Sequence, residues 1–147
     1  MIRFSFICVG KLKEDYTKKA MADYCTRLSK YGKAETVEVP ESDIAGEGAA
    51  LIKKIPERAF VIALDLHGRM IDSEAFASML KKQTVDGFSH FAFVIGGSDG
   101  IAKEVTDRAD VRLCLSPMTF THQMTRVIVA EQIYRAMKIN SGETYHK

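Results

Sequence analysis

Short apolar runs alternate along the chain with stretches in which apolar positions recur every three or four residues, the signature of a sheet whose strands are joined by helices. The runs predict strands at Arg3–Val9, Ala34–Val39, Ala59–Asp65, Phe91–Ile95 and Val111–Leu115. The third and fourth are nearly all apolar, which puts them at the centre of the sheet with both faces covered. Glu14–Lys30 predicts a helix with an acidic first turn and a basic end, matching the helix dipole. A second helix, Ser73–Thr84, follows a cap at Asp72 and stops before Gly87. Gly46–Ile55 carries a helical pattern cut by Pro56, a short helix begins near Ile101, and His122–Ile139 is the longest and most strongly patterned of all. Internal repeats, low-complexity tracts and linkers are absent from the sequence. The expected fold class is therefore α/β, a single domain over residues 1–147 with a mostly parallel central sheet.

Size agrees with that reading. For 147 residues and 16.4 kDa, surface scaling leaves roughly 7,500 Å² exposed out of ~23,800 Å² in the unfolded chain, so about 68% is buried. That is enough for one core and excludes disorder. A site needing more walls than one small domain offers has to borrow them from a second copy.

A net charge of +2, from 21 Lys and Arg against 19 Asp and Glu, does not by itself announce a nucleic-acid partner. Its distribution says more. Arg3, Lys11, Lys13, Lys18, Lys19, Arg27, Lys30 and Lys33 outweigh Glu14, Asp15 and Asp23 in the first 33 residues, whereas residues 34–50 hold five acids and no base. Such an asymmetry suits a basic face for phosphates, and equally a solvated helix face. Cys8, Cys25 and Cys114 are odd in number and lack C-x-x-C spacing, so neither a disulfide framework nor a structural metal site is expected. No stretch approaches the ~18 uncharged residues of a membrane span, and Phe4–Val9 is too short for a signal-peptide core. The expected location is the cytoplasm, with no membrane association.

Three segments carry the candidate chemistry. The fourth strand runs into Gly96-Gly97-Ser98-Asp99-Gly100 and then a helix, so bare backbone can approach a ligand there. The spacing is neither G-x-G-x-x-G nor a Walker loop. A plain tight turn accounts for it as well as a ligand site does. The next strand ends in Leu115-Ser116-Pro117-Met118-Thr119-Phe120, and the third in Leu64-Asp65-Leu66-His67-Gly68. Parallel strands put all three ends on one rim, where open α/β sheets bind ligands.

On the last helix, at 100° per residue, Val127, Val129, Ala130, Ile133, Tyr134 and Met137 form an apolar arc, with Glu131, Arg135 and Lys138 opposite. Arg126 falls in the middle of that arc, and His122 lies one turn earlier on the same stripe. A buried guanidinium needs a partner other than water. Either Arg126 caps carbonyls of a loop packed on the first turn, or that turn lines a ligand pocket or a subunit seam. The chain closes on Tyr145, His146 and Lys147, which reads as a frayed end. Those groups can also stack on a base, exchange a proton near neutral pH and hold a phosphate.

Gly10-Lys11-Leu12-Lys13, the run from Phe93 to Gly100, the run from Met118 to Val127, the run from Glu131 to Ala136, and the closing Tyr145-His146 together resemble the small SPOUT-class methyltransferases. Within that class the resemblance is to the bacterial enzymes that methylate N3 of a pseudouridine in 23S ribosomal RNA, and it spans essentially the whole chain. It implies an S-adenosylmethionine-dependent, metal-free homodimer with a C-terminal trefoil knot. It also implies that Leu64, Gly96, Leu115, Ser116, Pro117, Met118, Thr119 and Phe120 hold the cofactor. The last helix is implied to pair with its mate across the dimer, which would account for the width of its apolar arc.

Tyr145 and His146, supplied by one subunit to the other's pocket, are the implied base-holding and proton-handling groups, with Arg135 fixing the tail or a phosphate. So small a basic excess cannot gather many phosphate contacts, so the expected partner is 23S rRNA within an assembled ribosome or large subunit rather than naked RNA. The N-terminal Lys and Arg cluster is the expected contact face. Two other classes stay open on the residues alone: a non-catalytic adenosine-nucleotide-sensing α/β module, and a dimeric interaction protein whose last helix is only a seam.

Overall fold

The structure, a computed structural model, describes residues 1–144. Its elements follow in the order β1 (Ile2–Val9), α1 (Asp15–Leu28), β2 (Gly32–Val39), α2 (Ile44–Lys54), β3 (Phe60–Arg69), α3 (Ser73–Val85), β4 (His90–Ile95), α4 (Lys103–Arg108), β5 (Val111–Leu113) and α5 (His122–Asn140). The strands form one parallel sheet in the order β2-β1-β4-β3-β5. The expected α/β class therefore holds, with β4 in the middle and β3 beside it. β1 is equally interior, and Phe4 through Val9 are all buried.

Alternation along the strands divides the core between two faces. Phe4, Phe6, Phe91 and Phe93 belong to a cluster with α1, α3 and α5, while Ile7, Val9, Ala92 and Val94 belong to one with α2 and α4. α5 packs between α1 and α3 over the first face. Its arc residues Val129, Ala130, Ile133, Tyr134 and Met137 are all buried within the chain. The width of the arc is accordingly explained by the chain's own sheet and flanking helices, and does not by itself call for a second copy.

Boundaries differ from the sequence reading where long-range pairing overrides local pattern. β5 stops at Leu113 because the chain turns off the sheet at Cys114, whose N–H is donated to the Arg69 carbonyl at 2.8 Å across an irregularity in the β3–β5 ladder. β3 runs past Asp65 to Arg69, overrunning its neighbours. α2 starts two residues early, at Ile44, where the Asp43 carboxylate accepts the Gly46 N–H at 2.7 Å. Asp72 caps α3 in the same way through Ala75, as expected.

The far end of α5 is tied down by one carboxylate. Glu143 accepts from Tyr31 Oη at 2.6 Å, Lys138 Nζ at 2.8 Å and Lys30 Nζ at 2.9 Å. Those hydrogen bonds, Lys138's first, hold its carboxyl down at about 2. Because the folded value lies below the ordinary ~4.3, the clamp is fully present above that value and is lost as pH falls toward about 2. Amide exchange at residues 141–143 should therefore stay protected through mildly acidic buffer and open only in strong acid. Glu143→Gln should open the same amides at neutral pH, and unchanged protection in that variant would contradict the clamp.

Candidate active site

The carboxyl ends of β3, β4 and β5 open into one cleft of about 980 Å³. That is at the upper end of the ~300–1,000 Å³ range of small-molecule sites. The rim expected from the sequence is present: Leu64 to His67, Gly96 to Gly100, and Leu115, Ser116, Met118, Thr119 and Phe120 all line the cleft. Pro117 is not among the lining residues. Two further segments complete the lining, Lys13, Glu14, Tyr16 and Thr17 around the start of α1, and His122 to Thr125 in the first turn of α5. Lys13 belongs to the Gly10–Lys13 run that carries part of the family resemblance, whereas Tyr16 and Thr17 are unexpected at the site, because a helix start carries no signal of what lies over it.

Each rim loop has a local reason for its shape. Gly100, at φ +107°, donates its N–H to the Gly97 carbonyl at 3.1 Å. A Cβ at Gly96 would stand 2.5 Å from the Gly100 carbonyl oxygen, so only glycine lets this turn close. The tight-turn and ligand-site readings thus merge, since the turn is itself cleft wall. After β5, Cys114 Sγ donates to the Ser116 carbonyl at 3.1 Å, and Ser116 Oγ accepts the Met118 N–H at 3.0 Å. The overrun of β3 is braced by Asp65, which accepts the His67 N–H at 3.0 Å, and by Gly68, where a Cβ would meet the Arg112 backbone at 2.6 Å.

Arg126 is buried, at 1% exposure. It donates through Nη1 to Glu38 Oε2 at 2.6 Å and through Nη2 to the Gly10 carbonyl at 3.1 Å. The loop-capping reading is therefore the correct one for Arg126: it ties α5 to the end of β2 and to the loop after β1. Beside it, burial pushes the Cys8 thiol up to about 12 despite the nearby guanidinium, which keeps it in the protonated form. The pocket reading holds for the turn before it, since His122 to Thr125 line the cleft. His122 Nε2 is buried with no hydrogen-bond partner among the described residues. Gln123 clamps the segment entering α1, accepting the Lys13 N–H at 2.9 Å and donating to the Lys11 carbonyl at 3.2 Å. Nothing local to Gln123 announces that role.

Arg135 lies farther along α5 and does not line the cleft; its Nη2 donates to Glu131 Oε2 at 3.1 Å. Tyr145 and His146 lie outside the described residues. Among the described residues, no group of three or more His, Cys, Asp or Glu is arranged to hold a metal ion.

Comparison with known proteins agrees with this architecture. A family model described as a predicted SPOUT methyltransferase matches residues 2–146. A ribosomal RNA large subunit methyltransferase H from Clostridium novyi (strain NT) is 46% identical over 159 aligned positions, covering 99% of this chain and 100% of that protein. Its namesake from Alkaliphilus oremlandii (strain OhILAs) is 42% identical with the same coverage. Among solved structures, a probable methylase family protein from Haemophilus influenzae Rd KW20 superposes with a TM-score of 0.57 at 14% identity, over 99% of this chain and 70% of that one. TrmJ from Z. mobilis ZM4 gives 0.53 at 14% identity, over 90% of this chain and 69% of that one. At that identity the two structures speak to the fold.

Proposed function

The chain belongs to the SPOUT methyltransferase family, and on that premise we propose that it transfers a methyl group from S-adenosylmethionine to N3 of a pseudouridine in 23S ribosomal RNA. One observation carries this reading: three loops from separate strands converge on a single cleft in a chain whose full-length relatives are named for methylating large-subunit ribosomal RNA.

The residues present fit the cofactor. Leu64, Ile95, Leu115 and Met118 offer apolar surface to an adenine and a thioether chain, and the bare backbone at Gly96 leaves a cradle that a Cβ would fill. Asp65, Asp99 and the unpartnered His122 Nε2 are polar groups in the same lining, available to hydroxyl, amino and carboxylate groups. Leu64, Gly96, Leu115, Ser116, Met118, Thr119 and Phe120 would hold it, with Pro117 shaping the loop between them. When bound, S-adenosylmethionine supplies an electrophilic methyl on a sulfonium. The chain aligns the acceptor nitrogen in line with that methyl, excludes water, and removes the proton from the weakly acidic N3–H.

For the proton and the base we propose His146 and Tyr145, with Arg135 holding the tail or a phosphate. Chain geometry supports their delivery from a second copy. With its first turn at the cleft, α5 spans 19 residues, about 28 Å at 1.5 Å per residue. Glu143 is anchored beyond that far end, and the three residues from it to His146 reach at most about 11 Å. That anchor, a helix length away from the chain's own cleft, supports delivery of these groups to the cleft of a partner in a homodimer. The reading includes the family's C-terminal trefoil knot in one domain. It also includes an assembled ribosome or large subunit in the cytoplasm as substrate, because a net +2 neutralises few phosphates and structured RNA supplies the missing shape. No helix among the described residues is long and apolar enough to cross a membrane.

The test is transfer of labelled methyl from S-adenosylmethionine to ribosomes prepared from a strain lacking the protein, followed by nucleoside analysis. Label is expected on N3 of one pseudouridine of 23S rRNA. Cofactor binding without transfer would instead make the chain an adenosine-sensing module.

A further inference from the structure

The part of the lining contributed by the start of α1 differs in chemistry from the three rim loops. It presents Tyr16, a large aromatic ring that is 64% exposed although it lines the cleft. No other aromatic of the lining stands so open; Phe120 is 38% exposed. The hydroxyl of Tyr16 has no hydrogen-bond partner among the described residues, so neither end of this side chain is used in holding the fold. Its backbone, by contrast, is fixed. The next residue, Thr17, is buried and donates from Oγ1 to the Glu14 carbonyl at 2.9 Å. The segment leading into the helix is gripped by the Gln123 amide at Lys11 and Lys13. In the same stretch of the lining, Lys13 carries an ammonium whose side chain is 67% exposed, with a distant ion pair to Glu41 at 3.9 Å.

An exposed ring on a fixed helix start, with an exposed ammonium in the same cleft lining, is what an unstacked nucleobase and its phosphate require. An enzyme that alters a base atom must take the base out of its stack, and the lost stacking is replaced on an aromatic face. At about 980 Å³ the cleft has room for a base beside a cofactor.

We propose that Tyr16 is the platform on which the target pyrimidine stacks, with Lys13 holding the adjoining phosphate. The proposal rests on the RNA-methylation reading above and adds to it the residue that receives the base.

Steady-state methyl transfer to large ribosomal subunits from a strain lacking the protein tests it, with Tyr16→Leu compared against Tyr16→Phe and Tyr16→Trp. Leucine keeps apolar bulk and removes the π-face. Tyr16→Leu should lower kcat/KM for subunits by about 5- to 150-fold, carried mainly by KM. The two aromatic variants should keep the wild-type order of magnitude. S-adenosylmethionine affinity by calorimetry and mass by sedimentation should not change in any of the three. Wild-type kinetics in Tyr16→Leu would overturn the proposal, and so would equal losses in Tyr16→Leu and Tyr16→Phe, which would implicate the hydroxyl. Loss of cofactor affinity or of dimer mass in Tyr16→Leu would overturn it too, by assigning the ring to the cofactor or to a seam. A wild-type protein that labels no subunit would refute the RNA-methylation reading itself and this proposal with it, a result distinct from wild-type transfer that Tyr16→Leu leaves untouched.

Discussion

His146→Ala is expected to leave S-adenosylmethionine affinity unchanged and to lower turnover by about 10²- to 10⁴-fold, the range for loss of a proton-transferring group. With the rim loops proposed to hold the cofactor and His146 proposed to handle the acceptor proton, binding and turnover should separate cleanly. If the tail serves a partner's cleft, two inactive variants should complement one another. Gly96→Ala puts a Cβ 2.5 Å from a backbone oxygen that cannot move without opening the turn, and it should lose cofactor affinity with the sheet intact. Neither variant alone should transfer methyl at the normal rate. Mixed dimers of the two contain one cleft with an intact Gly96 facing an intact tail, and mixing with subunit exchange should restore activity. Full turnover in His146→Ala would remove this residue from the mechanism. Absence of recovery on mixing, with both variants behaving singly as expected, would mean that the tail does not act across copies.

Glu38→Ala is expected to destabilise the fold by about 3 kcal/mol, the low end of the cost of breaking a buried ion pair, because only Arg126 is fully buried and it keeps the Gly10 carbonyl. The two partners are unequally placed. Arg126 is 1% exposed and Glu38 32% exposed, so an orphaned Glu38 can still find water whereas an orphaned Arg126 cannot. Arg126→Met should thus cost less than Glu38→Ala, and adding Arg126→Met to Glu38→Ala should recover part of the loss. For a chain of this size the Glu38→Ala midpoint should fall by roughly 10 °C. Chemical denaturation of the three proteins gives the comparison. A Glu38→Ala protein within about 1 kcal/mol of wild type would show that the guanidinium is satisfied without its carboxylate, since typical surface changes stay within that size.

Much of the fold is legible in the chain because it is written in local pattern. Phe91–Ile95 reads as a central strand from composition alone, since only a strand covered on both faces tolerates five successive apolar side chains. Asp72 is readable as a cap because a carboxylate one position before a helix has one local use. The site is legible to the extent that strand ends in a parallel sheet share an edge. The α1 wall of the cleft is not legible, because Tyr16 and Thr17 look like any residues at a helix start until Gln123, 110 positions after Lys13, grips the segment before them.

Sequence alone determined the elements, the parallel α/β class and the three glycine- and polar-rich strand ends, since each follows from side-chain periodicity within a few residues. Tertiary structure decided that Arg126 pairs with Glu38, 88 positions away, that the start of α1 joins the cleft wall, and that Glu143 is anchored at the far end of α5 from the cleft. Those outcomes depend on which strands become neighbours and which way a helix runs across them. Sheet order and helix direction arise from the packing of the whole core, and no window of the sequence contains them.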